Sequence, residues 1–181
     1  VQIDINDTTV AWNQARSAGG IFVGPSGTTL QMTNVTVAEN TALSSLAGGI
    51  AISSGVTGEI RNATIARNAA PGDVAFAGAT TGGAQVTLRN TIVADSVAGN
   101  AWNPISCLAT FLEGGGNLQW PVARAGGGSD VPGALCSASI DVADAKLGAL
   151  QHNGGPTLTI RPAADSPAIA AGASCPERDQ R

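Results

Sequence analysis

The chain carries the stretch Asn34-Val35-Thr36-Val37-Ala38-Glu39-Asn40, and three variants of this stretch recur at nearly constant spacing. The four copies begin at Asp7, Asn34, Asn62 and Asn90, so the steps are 27, 28 and 28 residues. A fixed period between about 20 and 50 residues indicates a solenoid, in which each repeat forms one coil and buries its apolar face against its neighbours. The sequence therefore predicts about four stacked coils.

Apolar and polar residues alternate within each copy, which is typical of a β-strand with one buried face. A second apolar segment follows a Gly-Gly pair, as in Ile21-Phe22-Val23 and Ile50-Ala51-Ile52, and no long helical pattern lies between the segments. This order predicts an all-β fold, a right-handed parallel β-helix of about four coils with an irregular C-terminal cap. Coils that rise by about 4.8 Å each would give a solenoid roughly 20 Å long.

The repeat pattern ends near Cys107 and divides the chain into three segments. Residues 1–107 are predicted to form the β-helix repeats, residues 108–139 the last coil with a Gly-rich, disulfide-closed loop, and residues 140–181 a capping segment. Four prolines break the capping segment into short extended pieces, which are expected to cover the last coil. A chain of 181 residues suits one domain, so the three segments are expected to form a single structural unit.

The composition argues against several classes of function. Only 12% of the residues are charged, the net charge is −4, and the nine Lys and Arg residues are scattered. Without a basic stripe to neutralise phosphates, we expect no nucleic-acid binding. We also expect no membrane insertion, because the chain lacks a run of about 18 apolar residues. The first residues include neither Met nor a leader-like segment, so we interpret the chain as a processed or excised product.

The three cysteines bear on cofactors and on the cellular compartment. Cys107 and Cys136 flank the Gly-rich excursion, and we interpret them as a disulfide, which implies an oxidising compartment. Cys175 would then pair outside the chain, and three buried free thiols are the alternative. The cysteines lack the close spacing of a zinc or iron–sulfur site, and a single histidine cannot complete a metal set with them. No metal or other cofactor is expected.

The last position of the repeat is Asn13, Asn40 or Asn68, with Ser96 in the fourth copy. Asparagine at a bend can adopt the left-handed backbone conformation and can hydrogen-bond through its side chain to the same residue one coil away. We therefore expect a structural Asn ladder along the solenoid. A polar row that binds a ligand is the less favoured interpretation.

A second column of the repeat contains Thr9, Thr36 and Thr64, which are expected to point outward in one row. A flat row of small side chains is a candidate surface for a glycan or for ice. The alternative is that β-branched residues stand here for their strand propensity, and we favour it because only one Thr occurs per coil.

A third column contains Glu39, Arg67 and Asp95, in steps of 28 residues. Opposite charges on adjacent coils stabilise each other modestly, so we interpret this column as a solvated charge ladder. The alternative is a catalytic set, because many β-helices cleave acidic polysaccharides with clustered carboxylates and Lys, Arg, Tyr or His as proton carriers. Tyrosine is absent here, and Lys146 and His152 are each the only residue of their type. We therefore predict no catalytic residue and favour a function other than catalysis.

The C-terminal part of the chain resembles a bacterial family. Asn153-Gly154-Gly155-Pro156-Thr157 and Ser166-Pro167-Ala168-Ile169 are similar to motifs of the choice-of-anchor Q domain, which ends right-handed parallel β-helix repeat proteins. The repeat line with its Gly-Gly-Ile, and Cys107 with Gly116-Asn117-Leu118 and Cys136, resemble the same family. The resemblance implies a secreted or surface-displayed bacterial protein whose anchor signal lies downstream. It implies no catalytic residues, because the family has no agreed ones.

These patterns predict a non-catalytic extracellular or cell-surface module with a structural, adhesive or self-assembling role. The chain opens within the repeat pattern, at Gln2-Ile3-Asp4-Ile5, without an evident N-terminal cap. The first coil is therefore expected to pair with further β-helix upstream or with the end of another subunit, and head-to-tail stacking of subunits produces filaments. A glycan or another cell-surface molecule is the other expected partner. A polysaccharide lyase or hydrolase and a glycan- or ice-binding face are the alternatives.

Overall fold

The structure, a computed structural model, describes residues 1–71, 78–82, 85–98, 105–121, 135–172 and 180. Its parallel strands stack as a β-solenoid of about four turns, and the described residues contain no helix. The all-β solenoid predicted from the repeat is therefore confirmed. Within the described ranges, no helix is long and apolar enough to span a membrane.

Three parallel sheets form the solenoid. The largest contains β1 (Gln2–Ala11), β4 (Thr29–Ala38), β7 (Thr57–Arg61), β8 (Thr64–Ala66), β11 (Gln85–Arg89), β12 (Ile92–Ala94), β14 (Leu112–Glu113), β15 (Leu118–Trp120) and β16 (Asp141–Val142). The second contains β2 (Gln14–Ser17), β5 (Thr41–Ser45), β9 (Ala69–Ala70) and β13 (Val97–Ala98). The third contains β3 (Ile21–Val23), β6 (Ile50–Ile52) and β10 (Thr80–Thr81).

Matching positions of the repeat lie directly beside one another. Val37 pairs with Val10 on one side and with Ile65 on the other, and Ile65 pairs in turn with Val93. Paired residues are thus 27 or 28 positions apart, as in the sequence repeat. A shift of one residue would turn the buried side chains toward solvent, so the apolar pattern itself sets the strand register.

The core lies inside the coils and is built from the inward-facing residues of the repeat. Leu30, Met32, Val35 and Val37 of β4 have at most 1% of their surface exposed. Ile60 in the third coil, which pairs with Met32, is also fully buried. Burial of one such side chain contributes about 1.5–3 kcal/mol, so the stacked apolar rows supply the main driving force for folding.

The Gly-Gly pairs before the third sheet mark places where neighbouring coils approach closely. A Cβ atom at Gly19 would lie 2.5 Å from the carbonyl oxygen of Gly48, and a Cβ atom at Gly48 would lie 2.4 Å from the carbonyl oxygen of Ala69. Both distances are much shorter than van der Waals contact. Glycine is required here because any side chain would push the coils apart.

A C-terminal hairpin lies on the outside of the largest sheet. It consists of the antiparallel strands β17 (Leu147–His152) and β18 (Leu158–Pro162). Ile160 of β18 is 5% exposed and packs against Ala38 and Ala66, which belong to the second and third coils. The hairpin therefore covers part of the side of the solenoid.

This position differs from our expectation that residues 140–181 cover the last coil. β16 does extend the last coil, because Asp141 pairs with Leu118. The hairpin lies beside the earlier coils instead. The physical reason is that the small side chains of Ala38 and Ala66 leave a shallow apolar surface, which the larger side chains of the hairpin fill.

Candidate functional site

The asparagines at the end of each repeat form a hydrogen-bonded ladder along the solenoid. Asn13 Nδ2 donates to Asn40 Oδ1 over 2.9 Å, and Asn40 Nδ2 donates to Asn68 Oδ1 over 3.0 Å. The backbone N–H groups of Asn13 and Asn40 donate to the same two oxygens, over 3.0 and 3.1 Å. Asn40 and Asn68 are fully buried, so these two members satisfy polar groups inside the bend and are not accessible to a ligand.

The left-handed residue at this bend is the one before each asparagine. Trp12, Glu39, Arg67 and Asp95 have φ values of 58°, 57°, 54° and 53°. We expected the asparagines themselves to adopt this conformation. The bend instead takes the left-handed conformation one residue earlier, and the asparagine that follows bonds the next coil. Asparagine is thus needed here for its side-chain amide and not for its φ.

A second polar row, which we did not predict, lies at the first position of the repeat. Its members are Asp7, Asn34, Asn62 and Asn90, with φ values between 48° and 57°. Asn34 Nδ2 donates to Asp7 Oδ1 over 2.9 Å, and Asn90 Nδ2 donates to Asn62 Oδ1 over 3.0 Å. Asn and Asp tolerate the left-handed region better than most residues, so their recurrence at this position was the available sequence signal.

The disulfide joins Cys107 to Cys136. The two residues are 29 positions apart, about one coil, and Cys107 pairs with Thr80 of the preceding coil. Both cysteines are buried among the core residues, so the bond ties adjacent rungs together inside the solenoid. Cys175, which we expected to pair outside the chain, lies outside the described residues.

The charge ladder lies at the outer side of the bend that contains the Asn ladder. Arg67 Nη1 is 3.9 Å from Glu39 Oε1, and Arg67 Nε is 3.8 Å from Asp95 Oδ2. Trp12 Nε1 donates to Glu39 Oε2 over 2.7 Å and extends the row to the first coil. Arg67 Nη2 also donates to two carbonyl oxygens of β17, over 2.9 and 2.7 Å. Arg67 therefore holds the C-terminal hairpin on the solenoid, which is a structural use of this column.

Asp95 is expected to make stability depend on pH. Burial raises the pKa of its carboxyl, the attraction of Arg67 opposes the rise, and the repulsion of Asp144 adds to it. A raised pKa means that the folded state keeps a proton that the unfolded state releases, so stability falls as the pH rises from the unfolded pKa of about 3.9 through the folded pKa. In urea unfolding we expect Asp95→Asn to be more stable than the parent at about pH 7 and equally stable at about pH 3.

Asp165→Asn is the matched control, for which we expect the opposite change in stability at about pH 7. Lys146 lowers the pKa of Asp165 through a hydrogen bond of 2.6 Å, so this carboxylate stabilises the folded state above its unfolded pKa. Asp165→Asn should therefore lose a little stability at about pH 7, and only a little because the pair is exposed. If Asp95→Asn also lost stability at that pH, the ion pair with Arg67 would outweigh burial and our prediction would be wrong.

The threonine column faces the C-terminal hairpin. Thr9 Oγ1 donates to the carbonyl oxygen of Leu158, and Thr36 Oγ1 donates to Gln180 Oε1 over 2.8 Å. Gln180 Nε2 donates in turn to Thr9 Oγ1 over 2.9 Å. Thr36 is only 2% exposed. The flat surface that we considered for a glycan or for ice is therefore covered at the first two coils, because the C-terminal segment satisfies its hydroxyl groups and packs on the adjacent alanines.

A cleft of about 360 Å³ remains between the hairpin and the second and third coils. The solenoid wall includes Asn62 and Thr64, and the opposite wall includes Arg161, Pro162 and Ile169. Thr64 is half-buried. Thr36 of the same column also lines the cleft, but its hydroxyl group already bonds Gln180.

The remaining candidates do not form a reactive cluster. In the part of the chain that the structure describes, no three His, Cys, Asp or Glu residues come together as a metal site. Lys146 pairs with Asp165, and His152 is exposed on β17. No protein-family model, curated protein or solved structure matches this chain. Its function must therefore be argued from the geometry of its own residues.

Proposed function

We propose that this chain is a non-catalytic structural module of an exported bacterial protein and that it assembles by stacking solenoid ends. The open edge of the first coil carries the proposal. Among the described residues β1, β2 and β3 pair on one side only, with β4, β5 and β6. These three strands of 10, 4 and 3 residues present an unpaired edge at one end of the solenoid.

The apolar side chains at this end are only partly covered. Leu30 and Met32 in the second coil are 0% and 1% exposed. Their partners in the first coil, Ile3 and Ile5, remain partly exposed. Ile21 of β3, which packs against the core, is also only partly buried. One more coil would cover these side chains as the first coil covers those of the second, and that burial would stabilise the assembly.

The backbone of β1 is arranged to accept another strand. Thr29 N–H donates to the carbonyl oxygen of Val1 over 2.8 Å, so Val1 and Ile3 direct their backbone groups toward β4. Successive residues of a strand direct their backbone groups to opposite sides. The N–H and C=O groups of Gln2 and Asp4 therefore face the open edge, where strand addition would satisfy them.

Further β-helix preceding Val1 in the same protein or a second copy of the chain would fit this end, and the proposal commits to the second copy. At the opposite end of the described residues, Val142 of β16 is 46% exposed and pairs with Gln119, in the column of the core residues Val93 and Ile65. Both ends thus offer apolar side chains beside strand edges, and joining them continues the parallel order of the largest sheet. Contact between two different ends of the subunit is head-to-tail. Such contacts form a ring only if the rotation between successive subunits closes, and they otherwise produce filaments.

Two observations support export from a bacterium. The disulfide between Cys107 and Cys136 is compatible with an extracytoplasmic location, because disulfides persist in oxidising compartments. The resemblance of the C-terminal motifs to the choice-of-anchor Q domain supports a secreted or cell-surface protein of bacterial origin.

We expect Asp4→Pro to abolish this assembly. Proline removes the N–H group that faces the open edge and leaves intact the neighbouring N–H groups that point toward β4. Size-exclusion chromatography with light scattering, over a wide concentration range, should show oligomers that grow with concentration for the parent and monomer for the variant.

Asp4→Ala is the matched control, because it removes the same side chain and keeps the N–H group. It should assemble like the parent, and thermal unfolding of both variants checks that the first coil is still folded. A parent that stays monomeric at every concentration would contradict the proposal. Equal assembly of the proline and alanine variants would show that another surface mediates the contact.

A further inference from the structure

The cleft between the C-terminal hairpin and the second and third coils has the properties of a ligand site. Its volume of about 360 Å³ lies within the range of about 300–1,000 Å³ that is common for small-molecule sites. The solenoid wall is polar, with Asn62 and Thr64. The opposite wall adds the cation Arg161 and the apolar residues Pro162 and Ile169. Ile169 is 55% exposed, so part of this apolar surface is accessible.

Thr64 supplies an available hydrogen-bonding group. Its counterparts one and two coils away, Thr36 and Thr9, use their hydroxyl groups to bind Gln180 and the carbonyl oxygen of Leu158. These contacts show that the column binds polar groups laid along the side of the solenoid. Thr64 makes no side-chain hydrogen bond in the described part of the chain, and its half-buried hydroxyl belongs to the cleft.

Arg161 gives the cleft a positive charge. It is the only charged residue among those described in the lining, and none of the ion pairs of the described residues includes it. The chain as a whole has a net charge of −4. Within the described part of the lining, a cation that no carboxylate pairs with favours an anionic ligand over a neutral one.

We propose that this cleft binds one hexuronate unit of an acidic polysaccharide. The carboxylate of the sugar pairs with Arg161, a ring hydroxyl bonds Thr64, and the apolar face of the ring contacts Pro162 and Ile169. A simple anion would use the charge alone and leave the hydroxyl and the apolar wall unused. This proposal is independent of solenoid stacking, because the cleft lies on the side of the molecule and the open edge lies at its end.

Calorimetric titration with trigalacturonate tests the proposal. Thr64→Val keeps the shape of the side chain and removes the hydroxyl, so it should weaken binding about fivefold, the effect of one neutral hydrogen bond. Arg161→Gln should weaken binding by about tenfold or more, because it removes a charge-assisted contact. Maltotriose, which has ring hydroxyls but no carboxylate, should bind at least about tenfold more weakly than trigalacturonate.

Arg16→Gln is the matched control, because Arg16 is an exposed arginine of β2 that does not line the cleft. It changes the net charge by the same amount as Arg161→Gln and should leave the affinity unchanged. Equal losses in these two variants would mean non-specific attraction and would overturn the site. Absence of heat with the parent, or equal affinity for maltotriose, would also overturn the proposal. Thermal unfolding confirms that each variant is folded before it is titrated.

Discussion

Asn68→Ala is expected to lower the free energy of unfolding by about 4 kcal/mol, the largest effect that we predict. Asn68 Oδ1 accepts the backbone N–H and the side-chain amide of Asn40 over 3.1 and 3.0 Å. Asn68 Nδ2 donates to the carbonyl oxygen of Val37 over 2.9 Å. Alanine would leave the backbone N–H of Asn40 and one N–H of its side-chain amide without these acceptors, and the carbonyl oxygen of Val37 without this donor. Each buried group that loses its partner costs about 1–3 kcal/mol. Urea unfolding monitored by circular dichroism measures the loss.

Asn13→Ala is the matched control at the exposed end of the same ladder. Asn13 Nδ2 donates to Asn40 Oδ1 and to the carbonyl oxygen of Ala11. Because Asn13 is exposed, water replaces much of what is lost, and we expect a decrease of less than about 1 kcal/mol. Similar losses in the two variants would mean that burial of the ladder does not determine its contribution, and our account of the row would be wrong.

Removal of the disulfide is expected to lower the free energy of unfolding by about 3–4 kcal/mol, from the loop-closure entropy of two residues 29 positions apart. The variant combines Cys107→Ala with Cys136→Ala. The loss should be concentrated in the last rungs, because the coils of a solenoid contact only their neighbours. Hydrogen exchange should accelerate at the amides of Phe111 and Leu118, which bond adjacent rungs, and should change little at Val37 in the second coil.

Reductant provides the control for this variant. It should lower the stability of the parent to that of the double variant and should leave the double variant unchanged. Uniform acceleration of exchange along the whole solenoid would contradict a local role for the bond. Equal stability of the oxidised parent and the double variant would contradict any stabilising role.

The fold could be predicted from the sequence because a solenoid repeats one local pattern. In β4, alternation directs Leu30 and Met32 into the core before the left-handed residue Asn34, and Val35 and Val37 into it afterwards, and all four are buried. The 27- and 28-residue steps fix which residues become neighbours, as the pairing of Val37 with Ile65 shows. In such a fold, residues at the same position of adjacent repeats contact one another, so the fold follows from the repeat without knowledge of how distant segments pack.

The surroundings of the outer columns could not be predicted in the same way. Thr9, Thr36 and Thr64 have the same repeat position, but only the first two hydrogen-bond to the described C-terminal segment. Thr36 and Thr64 both line the cleft. That difference in hydrogen bonding depends on where the hairpin lies. The hairpin is not part of the repeat, so nothing in the period indicates which coils it contacts. The alanines that it contacts, Ala38 and Ala66, recur with the period, but nothing in that period marks them as a contact surface.

The sequence by itself determined the coil, its register and its buried rows, because each depends on residues one period apart that stack directly. Only the tertiary structure decided which outer surfaces stay open. The contact of Ile160 with Ala38 joins segments more than 100 residues apart in the chain and covers the threonine column at the first two coils. Such a contact follows from the complementary shapes of two finished surfaces, and no periodic pattern encodes it.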